Sequence, residues 1–392
     1  MKITAVRPWI VNCPAEGESG LPFQRAEPDR QYVFVQVTTD EGLTGWGEIT
    51  TYPGLVANRA LCAMVREVEP SLLGDDAIRI EAMTMKLAGI FTYTGTRGAV
   101  SALISAVDIA LWDIRGQALG VPVYDLLGGA VRETIPLYTH YGYAETIDEA
   151  VESARLQVRE GAKAIKTDPF WHEMRHKGTA ITDGQISPAG EQWGVDLITA
   201  VREAVGPEIE LLIDCHGLYD VPTAVRLAQR LVHAHITWFE EPVAPQSYRA
   251  LAIVRGQIPT RICVGERLYT RHDFLPILHE GLSDYIMPDV TWTGGISELK
   301  KIATMAEVYG IPISPHDASG PVNVLAGAQV GMTVPNFYRL EARRVTLDSY
   351  NALLEEPLVT RNGELVIPNR PGLGLTMNME YLRAHAEPGW GG

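Results

Sequence analysis

The chain has 392 residues, 46% of them hydrophobic, and a formal net charge of −15. That length supports a large core and a second domain, while the acidic balance, with no block of like charge, excludes nucleic-acid binding, which needs a basic footprint. No apolar run reaches membrane-span length, and the composition favours a cytoplasmic protein.

The opening MKITAVRPWIVN alternates like a strand and carries Arg7 and Pro8, so it does not read as a signal peptide. QYVFVQVTT and LTGWGEI are the next two strands, joined by the hairpin turn DEG. The segment PAEGESGLPFQRAEPDR, between the first two strands, is polar and long for a hairpin, which predicts a functional flap. Residues 54–120 read as helical. Val100, Leu103, Ile104, Val107, Leu111 and Ile114 recur at helical spacing, and Gly120 and Pro122 stop the run. A mixed α+β cap over residues 1–130 follows.

From residue 131 to about 345 strand and helix alternate, which predicts a (β/α) barrel. Thr146 and Glu149 have capping-box spacing and open a helix that ends at Gly161. The strand AKAIKTDP precedes a polar and aromatic insertion, and an insertion after a strand lands on the catalytic face of a barrel. Residues 346–392 hold no barrel unit and are expected to pack back on the cap. Cys13, Cys62, Cys215 and Cys263 form no CxxC pair, so neither zinc nor a disulfide framework is expected. Cys215 alternates away from Asp214 and His216 and should point out of the barrel.

Asp214, Glu240 and Glu266 each close a short apolar run at intervals of 26 residues, about one strand plus one helix. A lone acid there reads as a loop residue or a salt bridge. Three at successive strand ends repel one another unless a cation offsets them, and three oxygen ligands suit Mg²⁺. Asp289 and His316 end adjacent predicted strands, where a carboxylate on one imidazole nitrogen raises the basicity of the other. Lys166 and Asp168 share one strand face; Lys166 reads either as a ligand for a substrate carboxylate or as a barrel-layer ion pair. His216 reads either as a general acid or as a hydrogen-bond donor to a metal ligand. Together these groups describe proton abstraction beside a carboxylate, through an enediolate.

GLTGWGE, ALISAVDIALWDIRGQALGVPVYDLLGG, KTDP, IDCHG, FEEP, VGERL, MPDVTWTGGISE, SPHDASG and RLEAR occur in that order over nearly the whole chain. The ordered set resembles the enolase superfamily, in particular the acid-sugar dehydratases of its mandelate racemase subgroup. The resemblance implies an α/β protein with an α+β capping domain over a (β/α)7β modified TIM barrel. It implies Mg²⁺ on Asp214, Glu240 and Glu266, a His316–Asp289 base, Glu341 as hydrogen-bond donor to the enediolate, and a homo-oligomer. Racemases of the subgroup carry a Lys-x-Lys pair. Here the pair is Lys166-x-Asp168, which counts against racemisation. DCHG and KTDP resemble galactonate-type dehydratases, in which His216 would be the general acid. The activity so implied is dehydration of a small sugar acid, an aldonate such as galactonate or gluconate, to a 2-keto-3-deoxy acid. A lactone cycloisomerase or epimerase is the alternative, and a binding protein that kept the fold is a further one. Specificity is expected from Phe23 and Arg25 on the flap, from Tyr52, and from Trp171, His172, His176 and Trp193 of the insertion.

Overall fold

The computed structural model describes residues 1–13, 30–50, 55–141, 144–170, 184–344 and 346–392. The expected flap, Tyr52 and the insertion up to residue 183 lie outside them.

The cap is built on an antiparallel sheet of β1 (Ile3–Cys13), β2 (Arg30–Thr39) and β3 (Thr44–Ile49), with β13 (Ala386–Gly391) on its other edge, in the order β13-β1-β2-β3. Asp40, Glu41 and Gly42 make the predicted turn between β2 and β3, and Gly42 sits at φ +82°. Helices α1 (Leu55–Leu72), α2 (Ile80–Ile90) and α3 (Ala99–Leu119) cover one face. The backbones of β3 and α3 touch. A Cβ on Gly47 would lie 1.8 Å from the carbonyl oxygen of Ala106, and one on Gly45 would lie 2.0 Å from that of Ala110. Both glycines are therefore fixed by close approach.

The sequence predicts one apolar face on α3, but the helix is buried on nearly every side, Ser101, Ser105, Asp108 and Asp113 included. The extra face joins cap to barrel. Asp108 accepts the Ser297 backbone N–H and hydroxyl, and Asp113 accepts the N–H groups of Trp46 and Leu373. Burial outweighs these hydrogen bonds and pushes Asp108 up to about 7 and Asp113 up to about 6, from an ordinary 3.8. The folded state then holds protons that the unfolded chain has released, so the stability these groups contribute falls as pH rises from about 4 to about 7. Wild type should melt several degrees lower at pH 8 than at pH 5, and Asp108→Asn should flatten that slope. Equal slopes in the two proteins would mean that Asp108 is ionised in the fold.

After α4 (Val123–Leu126) the chain enters a parallel barrel. Its strands are β4 (Ile135–His140), β5 (Ala164–Thr167), β6 (Glu210–Asp214), β7 (Trp238–Glu240), β8 (Ile262–Val264), β9 (Tyr285–Ile286), a single bridged position at Ile313, and β10 (Leu340–Ala342). β10 pairs in parallel with β4 and closes the ring. Among the described residues seven helices alternate with these strands: α5 (Ile147–Arg159), α6 (Pro188–Val205), α7 (Val221–Arg230), α8 (Tyr248–Arg255), α9 (Thr270–His279), α10 (Gly295–Val308) and α11 (Pro321–Gly331). Eight strand positions and seven helices make the (β/α)7β barrel. The capping box at Thr146 and Glu149 is present.

The segment after the barrel divides its contacts. The hairpin β11 (Val359–Arg361) and β12 (Glu364–Val366) pairs with β4, whereas α12 (Met379–His385) leads into β13 beside β1. Among the described residues no helix is long and apolar enough to cross a membrane.

Candidate active site

One layer of side chains plugs the barrel: Tyr138, Ala164, Leu212, Trp238, Cys263 and Met287, each from a successive strand or its end. Bulky Trp238 packs against the rings of Tyr138, Tyr285 and Tyr338, at centroid distances of 5.4, 5.3 and 5.6 Å, which lets the layer fill without a pore. Side chains repeat their direction every two residues along a strand. Two residues further on, the same six chains present His140, Lys166, Asp214, Glu240, Gly265 and Asp289. The chemistry therefore sits directly on the apolar plug, at the C-terminal mouth. Gly265 breaks the pattern at φ +144°, where a Cβ would meet the Met287 backbone nitrogen at 2.9 Å. The break turns the next residue, Glu266, into the mouth in its place.

Asp214, Glu240 and Glu266 come together, offering one carboxylate oxygen each within 4.8 Å of one another. All three donors are hard oxygens, so the set fits a hard divalent cation. Lys166 is fully buried among them. Its ammonium lies 2.8 Å from Glu240 Oε1, 3.3 Å from Asp214 Oδ2 and 2.7 Å from Glu341 Oε1. Burial would lower the Lys166 pKa, but Glu240, Glu341, Tyr138 and Asp214 raise it well above the ordinary lysine value, so it stays a cation. Burial would raise Asp214, yet His216 and Lys166 hold it below the usual carboxylate range. Glu240 is pushed well above that range by burial and by Asp214.

His316 Nδ1 lies 2.8 Å from Asp289 Oδ2, the predicted pair. The carboxylate can only accept, so Nδ1 carries the proton and Nε2 is the basic atom. Nε2 faces the cluster, 3.2 Å from Glu266 Oε2 and 3.8 Å from Glu341 Oε2. Burial would lower His316, but Glu341, the Asp289 hydrogen bond and Glu266 push it up to about 10; a cation on the carboxylate cluster would oppose that pull and leave Nε2 free to accept a proton.

His216 is two residues past the end of β6, at φ +48°, and its N–H donates to Asp214 Oδ1 at 2.9 Å. Its Nδ1 lies 3.4 Å from Asp168 Oδ1 and 3.5 Å from Asp214 Oδ1. Burial would lower this imidazole, but Asp214 and Asp168 raise it well above the ordinary value. Cys215, between the two, is buried in the main core outside the plug layer.

Glu341 is in the site as well. It accepts from the Tyr138 hydroxyl at 2.7 Å and from the Asp317 N–H at 3.2 Å, and its Oε1 lies 2.6 Å from His140 Nε2. Burial would raise its pKa, but Lys166, His316 and His140 hold it well below the usual carboxylate range. Trp193 is on α6, half-buried and packed against the main core. Arg25 and Tyr52 lie outside the described residues, as do Phe23, Trp171, His172 and His176.

The sequence reading missed Tyr138 and His140. Their signal is that IPLYTH ends in the barrel rhythm of the other strands. It also missed a pair behind the ligands. Glu241 and Arg267 each follow a ligand directly, and Arg267 Nε donates to Glu241 Oε2 at 2.8 Å. Burial and Glu266 push Glu241 up to about 8, against the pull of Arg267. Gly217, at φ +61°, leaves room for that guanidinium, since a Cβ there would come within 2.6 Å of it. The pair buckles the loops after β7 and β8 together. Arg267→Met should therefore weaken divalent-cation binding by about 10- to 100-fold in titration calorimetry. An unchanged dissociation constant would show that the ligands hold their own geometry.

A barrel mouth with three clustered carboxylates, a buried lysine and a His–Asp pair, covered by an α+β cap, defines a cation-assisted enzyme of carboxylate chemistry. The comparisons agree. Residues 19–128 match the mandelate racemase / muconate lactonizing enzyme N-terminal domain, and residues 149–381 match the enolase C-terminal domain-like family. This chain belongs to the mandelate racemase / muconate lactonizing enzyme family of the enolase superfamily, whose members bind a divalent metal. It is 32% identical to a D-xylonate dehydratase of Haloferax volcanii, over 91% of this chain and 86% of that one. It is equally 32% identical to a D-galactarolactone cycloisomerase of Agrobacterium fabrum, over 99% and 100%. A solved enolase-superfamily member from Salmonella Typhimurium superposes with a TM-score of 0.86 at 30% identity, covering 98% of both chains.

Proposed function

We propose that the protein is a hydro-lyase that dehydrates a small sugar acid to its 2-keto-3-deoxy acid, with Mg²⁺ on Asp214, Glu240 and Glu266. Bound there, Mg²⁺ supplies positive charge to the substrate carboxylate and lowers the cost of enediolate formation. Lys166 adds a fixed cation on the same side. His316 Nε2 takes the C2 proton, with Asp289 holding the ring by Nδ1. The family resemblance gives Glu341 a hydrogen bond to the enediolate oxygen, which it can donate only as the protonated acid. His216, beside Asp168 and Asp214, gives its proton to the C3 hydroxyl, which leaves as water. The enol then tautomerises to the 2-keto acid.

The observation that carries this reading is that His216 and His316 both border the carboxylate cluster, each with its own acidic partner. One site so holds a base and a separate acid. Asp168 occupies the position where a racemase would hold a second lysine base, and it serves the acid instead. We read residues 1–130 as the cap, 131–345 as the catalytic barrel and 346–392 as the closing segment of a cytoplasmic homo-oligomer.

A panel of aldonates and aldarates, assayed for 2-keto product with Mg²⁺, tests the proposal. Full-length likeness to a lactone cycloisomerase favours one second reading, ring opening of a sugar-acid lactone through the same enediolate. Lactones belong in the same panel. Consumption of a lactone with no loss of water would select that reading.

A further inference from the structure

The base pair is reached from the cap as well as from the barrel. Asp289 Oδ1 accepts the Thr291 N–H and hydroxyl, both at 2.8 Å, and the Asn323 side-chain amide at 3.3 Å. Asp289 Oδ2 accepts His316 Nδ1 at 2.8 Å and the Thr50 hydroxyl at 3.3 Å. Four of these donors belong to the barrel. Thr50 belongs to the cap, one residue beyond β3, and it shares its oxygen with the histidine. Its own hydroxyl lies 2.6 Å from Ser319 Oγ and beside Thr291 Oγ1. The three hydroxyls carry three hydrogens for four contacts: with Thr50 and Thr291 each donating to Asp289 and Ser319 donating to Thr50, Thr50 and Thr291 are neighbours with no hydrogen bond between them.

A second link runs parallel. Glu48, two residues earlier on the same strand face, accepts the Asn323 backbone N–H at 3.0 Å in the first turn of α11. Asn323 in turn reaches Asp289. Thr50, Glu48, Asp289, Asn323 and Thr291 are all buried, so water is a poor substitute for any of these bonds.

We infer that Thr50 is a positioning residue of the proposed base. Its hydroxyl fixes the rotation of the Asp289 carboxylate about the bond that His316 uses. Seating of the cap on the barrel and aim of the imidazole are one event, because the same carboxylate oxygen carries both contacts. A cap lifted from the mouth leaves Oδ2 with the histidine alone, and the pair loses its lateral restraint. This rests on the role of His316 and Asp289 proposed above.

The test uses Mg²⁺-loaded, ¹⁵N-histidine-labelled enzyme and the hydrogen-bonded Nδ1–H signal that His316→Asn removes. Thr50→Val should move that signal upfield and broaden it, and Thr50→Ser should restore it. Thr50→Ala, which cannot clash, carries the same expectation if the valine variant folds poorly. With a substrate from the panel, Thr50→Val should lose about tenfold in kcat while KM stays within about twofold. A sharp, unmoved signal in the valine or alanine variant overturns the inference, as does a serine variant no better than valine. The signal is read without substrate, so its outcome stands whether or not a sugar acid is turned over.

Discussion

Glu240→Gln is expected to abolish turnover, by about 10³-fold or more, while the protein remains folded. Glu240 is the central member of the ligand set and closes β7 directly above Trp238, whose indole N–H donates to its Oε2 at 3.0 Å. The amide keeps the shape but only one acceptor oxygen, so it can serve the Trp238 indole N–H or the Lys166 ammonium and not both. It removes the negative charge that the cation needs. Titration calorimetry should show loss of Mg²⁺ binding, and circular dichroism should be unchanged. Chelation of wild type should reproduce the inactive state and added Mg²⁺ should reverse it. Full activity in chelator would overturn the metal assignment.

The two histidines should separate the reaction into halves. His316→Asn cannot take the C2 proton, so neither product nor solvent exchange at C2 is expected in D₂O. His216→Asn leaves His316 Nε2 in place but removes the proton for the departing hydroxyl. Dehydration should slow by about 10²- to 10⁴-fold, the range of general acid catalysis, while deuterium enters C2 of recovered substrate. NMR of the C2 proton in both variants decides it. Dehydration at the wild-type rate by His216→Asn would leave that residue only as a hydrogen-bond donor to Asp214, the bond its backbone N–H already makes.

The barrel and its carboxylate cluster were legible because strand periodicity and the βα repeat are local properties, and a carboxylate at a strand end announces itself against an apolar run. Asp214, Glu240, Glu266, Asp289 and His316 were all found this way. Glu341 in YRLEARR continues the same strand-end rhythm, and only its role as a hydrogen-bond donor came from the resemblance. Tyr138 and His140 end a strand whose polar residues read as ordinary surface until the plug layer is seen beneath them. Thr50, Glu241 and Arg267 act through partners 26 to 239 residues away, and single-chain periodicity carries no such information.

β13 pairs with β1 through Trp9 opposite Gly391 and Val11 opposite Ala386. β1 therefore waits on the ribosome for a partner strand some 375 residues downstream, Ala386 against Val11. At about 5–20 residues per second that interval is on the order of tens of seconds. Throughout it, β1 pairs with β2 on one side and shows an open row of amide and carbonyl groups on the other. Such an edge recruits strands from other chains. The barrel can close from its own 131–345 segment in the meantime, but the cap sheet cannot be sealed. Crowded synthesis then favours β1-to-β1 association between nascent chains. A chaperone that shields this edge would raise the yield of native enzyme without touching the active site.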